Sequence, residues 1–333
     1  MTSTVAGIRR VRVSLVVLLL LVLVAGCAPR SDTDRLTFHA FGTLIDITLY
    51  PAGAHDLARL ESALSADLDI MHNAWHAWRP GSLGRTNELL VLGGAFSAPP
   101  SVLPLIERAQ ELEVATDGLF NPALGRLIAA WGFHQDEPAG PPPDPEWIAD
   151  LLADPPRMAD IERRGVRLRG HHPELQLDFG GLAKGLAVAR SLEVLAELGV
   201  EHAIVNAGGD LMTLGRPGHR PWRIGVRDPH GAGVLASIEL GGGEALFTSG
   251  DYERGYDWEG ERIHHVIDPR SGRPSQGLAA ATVLHADPAL ADAAATTLMI
   301  AGPEAWLSQA RKLDIELAMV VLEVRAQAVE GDH

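Results

Sequence analysis

From Ala203 onward, segments with strand character follow one another with no helical spacing between them: Ala203–Val205, Trp222–Val226, Ala236–Leu240, Ala245–Thr248, His264–Ile267 and Ala280–Leu284. Parallel neighbours need long crossover connections, usually helical, whereas antiparallel neighbours join through turns. This half of the chain therefore predicts antiparallel pairing. Helical periodicity lies before it, at Ala54–His72, Ser101–Thr116 with Ser101 as N-cap, Pro122–Trp131 and Gly181–Leu198. It returns after it, at Pro288–Ile300 and Pro303–Leu313. Leu36–Tyr50 reads as a strand bent at Gly42. Further strands fall near Val166–Arg169 and Leu175–Leu177, and Ile315–Val324 is the last. The run Ala139-Gly140-Pro141-Pro142-Pro143 is a loop. The fold class is α+β, with mostly antiparallel sheets and flanking helices.

The acidic balance narrows the function. With 43 acidic and 28 basic residues in 333, the formal net charge is −15, which argues against a nucleic-acid partner. An anionic ligand remains possible where a metal ion or a few local donors invert the field. Only two basic residues are lysines, Lys184 and Lys312. Cys27 is the single cysteine, so neither an intramolecular disulfide nor a cysteine-based metal centre is available.

Arg9, Arg10 and Arg12, the apolar stretch Ser14–Val24 and then Val24-Ala25-Gly26-Cys27 have the layout of a bacterial lipoprotein signal. On this reading residues 1–26 are removed, Cys27 is acylated, 27–36 is a tether and 37–325 is the folded domain. The protein is then expected in the bacterial cell envelope, lipid-anchored and facing the periplasm or another extracytoplasmic space. Removal of 1–26 takes away three arginines and no acid, so the mature chain is more acidic still.

Four clusters carry candidate chemistry. In Leu177-Asp178-Phe179-Gly180-Gly181-Leu182-Ala183-Lys184-Gly185 an acid ends a strand, glycines turn the chain and a helix starts. Free N–H groups there attract anions and Lys184 could reach a phosphate, although the same pattern serves as a plain strand–turn–helix joint. Val205-Asn206-Ala207-Gly208-Gly209-Asp210 is not GxGxxG and by itself reads as a hairpin turn rather than a ligand loop. Thr248-Ser249-Gly250-Asp251-Tyr252-Glu253 precedes His264-His265-Val266-Ile267-Asp268-Pro269-Arg270, where His265 could be a general base oriented by the carboxylate of Asp268. Asp292 and Thr296, at i and i+4 on one helix face, offer two hard oxygens suited to Mg²⁺.

In this order, with Phe41-Gly42-Thr43, Gly118-Leu119-Phe120-Asn121-Pro122 and Trp131-Gly132-Phe133, these clusters resemble the ApbE family, the FAD:protein FMN transferases. The resemblance runs from about residue 37 to about 315. It implies an ApbE-like α+β fold and a Mg²⁺-dependent enzyme that splits FAD, releases AMP and joins FMN through its phosphate to a threonine of a partner protein. The acceptor would be a redox-driven membrane complex or a periplasmic flavoprotein. It implies metal ligation by Asp292, Thr296 and the carbonyl of Gly181, flavin or adenine contacts from Phe41, Trp78, Leu119, Phe120, Asn121, Asp178, Lys184 and Ile267, and a basic role for His265. Two alternatives use the same residues: an FAD pyrophosphatase giving FMN and AMP, and a non-catalytic flavin-binding lipoprotein.

Overall fold

The computed structural model of the chain describes residues 32–323. The signal segment 1–26, Cys27 and residues 27–31 of the tether lie outside the described residues. In chain order the elements begin with β1 (Asp34–Ala40), β2 (Thr43–Leu49), α1 (Leu57–Ala74), α2 (Ser82–Leu90), β3 (Phe96–Ser97), α3 (Leu103–Ala115), α4 (Gly125–Ala130) and α5 (Pro145–Ala153). They continue with β4 (Ile161–Arg164), β5 (Arg167–Gly170), α6 (Ala183–Glu197), β6 (Ala203–Ala207), β7 (Asp210–Leu214), β8 (Trp222–Arg227), β9 (Val234–Leu240) and β10 (Ala245–Gly250). They end with β11 (Gly255–Trp258), β12 (Glu261–His264), β13 (Ile267–Asp268), β14 (Arg273–Pro274), β15 (Leu278–His285), α7 (Pro288–Lys312) and β16 (Leu317–Leu322).

Seven strands form one antiparallel sheet in the order β1-β2-β6-β7-β10-β15-β16. Register places Ile47 opposite Val205 and Phe247 opposite Val283, so the alternating apolar residues share one face. That face packs on the apolar stripes of α1 (Leu60, Leu64, Leu68), α6 (Val188, Leu192, Leu195) and α7 (Ala294, Ala295, Leu298). The β8–β9 hairpin packs its Trp222, Val226 and Leu240 on Leu211, Leu246 and Leu284, residues of β7, β10 and β15. β15 is buried from Leu278 to Leu284. A smaller body joins α2 and α3 to the β3-β5-β4 sheet, and a third cluster gathers Trp131, Phe133, Ile148, Ile263 and Ile267 around α4 and α5.

The predicted fold class is the one observed, and several expected elements differ in detail. β1 begins at Asp34, so the tether expected through residue 36 ends earlier. Ser101 does not cap a helix: α3 starts after Val102 without a side-chain cap, and the Ser101 carbonyl accepts Trp75 Nε1 at 2.8 Å. Leu175–Leu177 is not a strand. Its backbone is held by the buried side chain of Asn87, which bonds both groups of Leu177, and by a single bridge between Leu124 and Gln176. The segment His264–Ile267 breaks into β12 and β13 at His265 and Val266. Two helices had no counterpart in the sequence reading. In α2 the buried stripe of Leu83 and Leu90 is interrupted by buried Thr86 and Asn87, which hides its period. In α5 Asp144 caps the helix through Glu146 N, directly after a proline-rich loop. The separation expected between Ile300 and Pro303 is present as a break inside α7, where Gly302 takes φ 73°, ψ −178°.

α6 and α7 cross at Gly185. A Cβ there would lie 2.5 Å from the Pro288 carbonyl oxygen, a contact with rigid backbone. Gly185→Ala is therefore expected to push the helices apart and cost about 1–3 kcal/mol, the usual range for overpacking. Urea unfolding checks this; a midpoint equal to that of the parent chain would contradict the close crossing.

Candidate active site

The turn Phe179–Leu182 delivers the N-terminus of α6 to the middle of the molecule. Leu182 at its N-cap offers no side-chain acceptor. The missing acceptor comes from α7: Asp292 Oδ2 takes the Gly185 N–H at 3.0 Å. A carboxylate at a helix N-terminus satisfies an orphan donor and suits the dipole. Asp292 is 3% exposed. Burial raises its carboxyl pKa, and Asp210 adds to this, against the opposite pull of Lys184 and the Gly185 N–H. One turn on, Thr296 Oγ1 lies 3.2 Å from Ser249 Oγ of β10. A Cβ on Gly181 would sit 3.2 Å from the same Thr296 oxygen, so glycine allows this turn to approach α7.

Lys184 forms an ion pair with buried Asp210, whose other oxygen accepts the Thr248 N–H at 2.9 Å. Burial works against the lysine's charge, but Asp210, Asp292 and Glu253 outweigh it and raise the pKa. Across the cleft, His265 is part-buried. Its backbone N–H and ring Nδ1 both meet the Arg254 carbonyl, at 3.1 and 3.2 Å. The carbonyl can only accept, which assigns the proton to Nδ1 and leaves Nε2 as the basic nitrogen. Desolvation first, then His264 and Lys184, lower the His265 pKa to about 3, so the ring is neutral at neutral pH.

Most of these groups line one open cleft. Leu119, Phe120, Asn121, Asp178, Gly181, Lys184, His265, Ile267, Asp292 and Thr296 all border it. Three expected residues do not. Asp268 is turned away from His265: its carboxylate is taken by Arg270, and the Arg254 carbonyl does the orienting expected of it. Phe41, at φ 53°, packs on His72 and Trp75, with ring centroids at 5.7 and 6.0 Å. Trp78 stands behind the lining and donates its Nε1–H to Asp178 Oδ2 at 3.1 Å. Asn121 borders the cleft, but its side chain accepts from Ala123 N and donates to the Pro156 carbonyl.

Glu253, Arg254, Ser249 and Phe133, to which the sequence assigns no role, also line the cleft. Glu253 closes the charged cluster, and burial, with Asp210 and Asp292, raises its pKa to about 7. Its position two residues past Asp251 was the available signal. Among the described residues no group of three or more His, Cys, Asp or Glu side chains is placed to hold a metal ion. The oxygen set here is of another kind, the Asp292 carboxylate with the Thr296 hydroxyl one turn on.

The profile of the ApbE family matches residues 41–321. The chain belongs to the ApbE family. An FAD:protein FMN transferase of Rhodobacter capsulatus is 38% identical over 315 residues, 91% of this chain and 60% of that protein, so the chain spans less than two thirds of that relative. One of Vibrio cholerae is 31% identical over 92% of this chain and 93% of its own length. The crystal structure of the ApbE protein of Thermotoga maritima matches with a TM-score of 0.80 at 27% identity, covering 87% of this chain and 94% of that one. The apo flavinyl transferase ApbE of Pseudomonas stutzeri matches at 0.77 with 30% identity, covering 88% and 92%. The mixed helix and antiparallel sheet architecture is thus that of ApbE structures.

The depressed His265 pKa has a consequence for stability. Between about pH 3 and the ordinary 6.5 the unfolded chain holds a proton on this ring that the folded chain lacks. Stability from this group is therefore complete above 6.5 and declines as pH falls through the window. His265→Asn should lose less stability than the parent between pH 7 and pH 5. Thermal midpoints of both proteins at the two pH values test this; a gap between them that does not change with pH would contradict it.

Proposed function

We infer that this cleft binds FAD and transfers its FMN half to the hydroxyl of a threonine on a partner protein, releasing AMP. The carrying observation is that a neutral histidine with a free Nε2, a lysine and the Asp292–Thr296 pair border one cleft in a chain of the ApbE family. The relatives are named FAD:protein FMN transferases, which supports the substrate and the protein acceptor.

A threonine hydroxyl is a poor nucleophile until its proton is removed. His265 Nε2 takes that proton as the hydroxyl oxygen bonds to the FMN phosphorus. The bond from that phosphorus to the bridging oxygen breaks, and AMP leaves with the bridging oxygen. Lys184 is one of the groups that lower the His265 pKa. An anionic pyrophosphate beside the ring counters this effect and raises its basicity. Phe120 and Phe133 supply aromatic surface to the flat rings of the substrate.

Mg²⁺ fits the residues present. The cleft is bordered by three carboxylates, Asp178, Glu253 and Asp292, against two cations, Lys184 and Arg254. Lys184 is already paired with Asp210. A pyrophosphate therefore enters a region with no surplus of positive charge. Asp292, Thr296 and the Gly181 carbonyl are hard oxygen donors of the kind Mg²⁺ takes. The ion, when bound, supplies charge neutralisation on the leaving phosphate.

The N-terminal sequence supports an envelope lipoprotein anchored through Cys27, with the acceptor reached outside the cytoplasm. Among the described residues no helix is long and apolar enough to cross a membrane.

Incubating the protein with FAD, Mg²⁺ and a candidate acceptor should give an acceptor band that fluoresces under ultraviolet light on a denaturing gel. His265→Ala should slow the labelling by about 10²–10⁴-fold, the usual span of a general base, with FAD binding retained. Labelling at the parent rate would remove His265 from the role of base.

A further inference from the structure

Asp268 does not serve His265, yet its carboxylate is only 14% exposed and makes several bonds. Arg270 grips it with a two-pronged fork, Nε to Oδ1 at 2.9 Å and Nη2 to Oδ2 at 2.7 Å. Oδ1 also accepts the Arg270 N–H at 2.8 Å, which closes a tight local turn. Fork-to-fork contacts fix the plane of a guanidinium as well as its position. With that plane fixed, Nη2 donates a further hydrogen bond at 2.7 Å to the carbonyl of Ile300.

Ile300 lies two residues before Gly302, where α7 departs from helical geometry, and Pro303 brings no N–H to the ladder. The part of α7 that begins at Pro288 and carries Asp292 and Thr296 thus ends at this point. A donor and a positive charge at such an end satisfy a carbonyl and suit the helix dipole. The turn that holds Arg270 is itself pinned. Gly272 N donates to the Asp268 carbonyl at 2.8 Å, and the Gly272 carbonyl accepts Trp131 Nε1 at 2.8 Å. Gly272 sits at φ 67°, and a Cβ there would lie 2.5 Å from Ile148 Cγ2. The chain from His265 to Gly272 is therefore fastened to α4 and α5 on one side and, through Arg270, to α7 on the other.

We propose that Asp268 and Arg270 are positioning residues that clamp the C-terminal end of the Asp292–Thr296 segment of α7 to the wall carrying His265 and Ile267. The clamp sets the distance between the cation-holding oxygens and the base. It rests on the reading that Asp292 and Thr296 hold Mg²⁺.

FAD affinity, read from quenching of flavin fluorescence over a Mg²⁺ series, separates the two claims. In the parent chain Mg²⁺ should tighten FAD binding, and in Asp292→Ala this gain should vanish. In Arg270→Met and Asp268→Asn the gain should remain but require about tenfold more Mg²⁺, the lower end of what outer partners of metal ligands contribute. FAD affinity without metal should stay within about twofold, which separates a displaced α7 from general damage. Arg270→Lys, which keeps the charge but loses the fork, should fall between parent and Arg270→Met. If Arg270→Met does not fold, Asp268→Asn and Arg270→Lys decide by the same readout. The pH midpoint of kcat should be the same in the clamp variants as in the parent.

A Mg²⁺ gain that survives Asp292→Ala overturns the metal reading and the clamp with it. A gain lost in Asp292→Ala but reached at the parent Mg²⁺ concentration in the clamp variants overturns the clamp alone. A shifted pH midpoint in Asp268→Asn overturns it as well, because the pair would then act on His265.

Discussion

The hydrogen bond from Gly185 N to Asp292 Oδ2 fixes how α6 and α7 meet, and the site follows from that meeting. Glycine at the crossing lets the helices touch at backbone distance. The buried carboxylate caps α6 in place of the side chain that Leu182 cannot supply. Once α7 is seated there, Thr296 falls beside Ser249 of β10 and beside the Gly180–Gly181 turn. Lys184, in the first turn of α6, is held over Asp210 at the start of β7. Three parts of the central architecture, two helices and the sheet, thus converge on one group of oxygens.

That convergence has an electrostatic cost. Asp292 is 3% exposed and shares Lys184 with the equally buried Asp210, so the desolvation of Asp292 is only partly offset. A buried carboxyl whose charged form is disfavoured gains most from a cation beside it, which favours the carboxylate. The proposed function uses this arrangement: a divalent cation and an anionic pyrophosphate together neutralise what the protein alone leaves unbalanced.

The antiparallel half was legible in the sequence because short strands in succession admit few other topologies. The Asp292–Thr296 spacing was legible because four residues are one helical turn. The eight other expected site residues that border the cleft sit in loops or near element ends, where glycines and turns leave a signature. Most of the failures depended on a partner distant in sequence. Asp268, three residues from His265, was expected to orient it, and the strand break at Val266 sends it to Arg270 and α7 instead. Ser101 has the chemistry of an N-cap but gives its carbonyl to Trp75. Leu175–Leu177 reads as a strand because two leucines alternate with a polar residue, yet the side chain of Asn87 takes both backbone groups of Leu177. Glu253 gained meaning only when β10, α6 and α7 were brought together.

The central claim is that a protein hydroxyl, rather than water, receives the FMN phosphate. Counting AMP released and flavin bound to the acceptor in the same quenched reaction tests it most directly. The account predicts one covalently bound flavin for each AMP, with little free FMN. AMP released with an equal amount of free FMN, and no flavin on the acceptor, would contradict it and make the cleft that of an FAD pyrophosphatase.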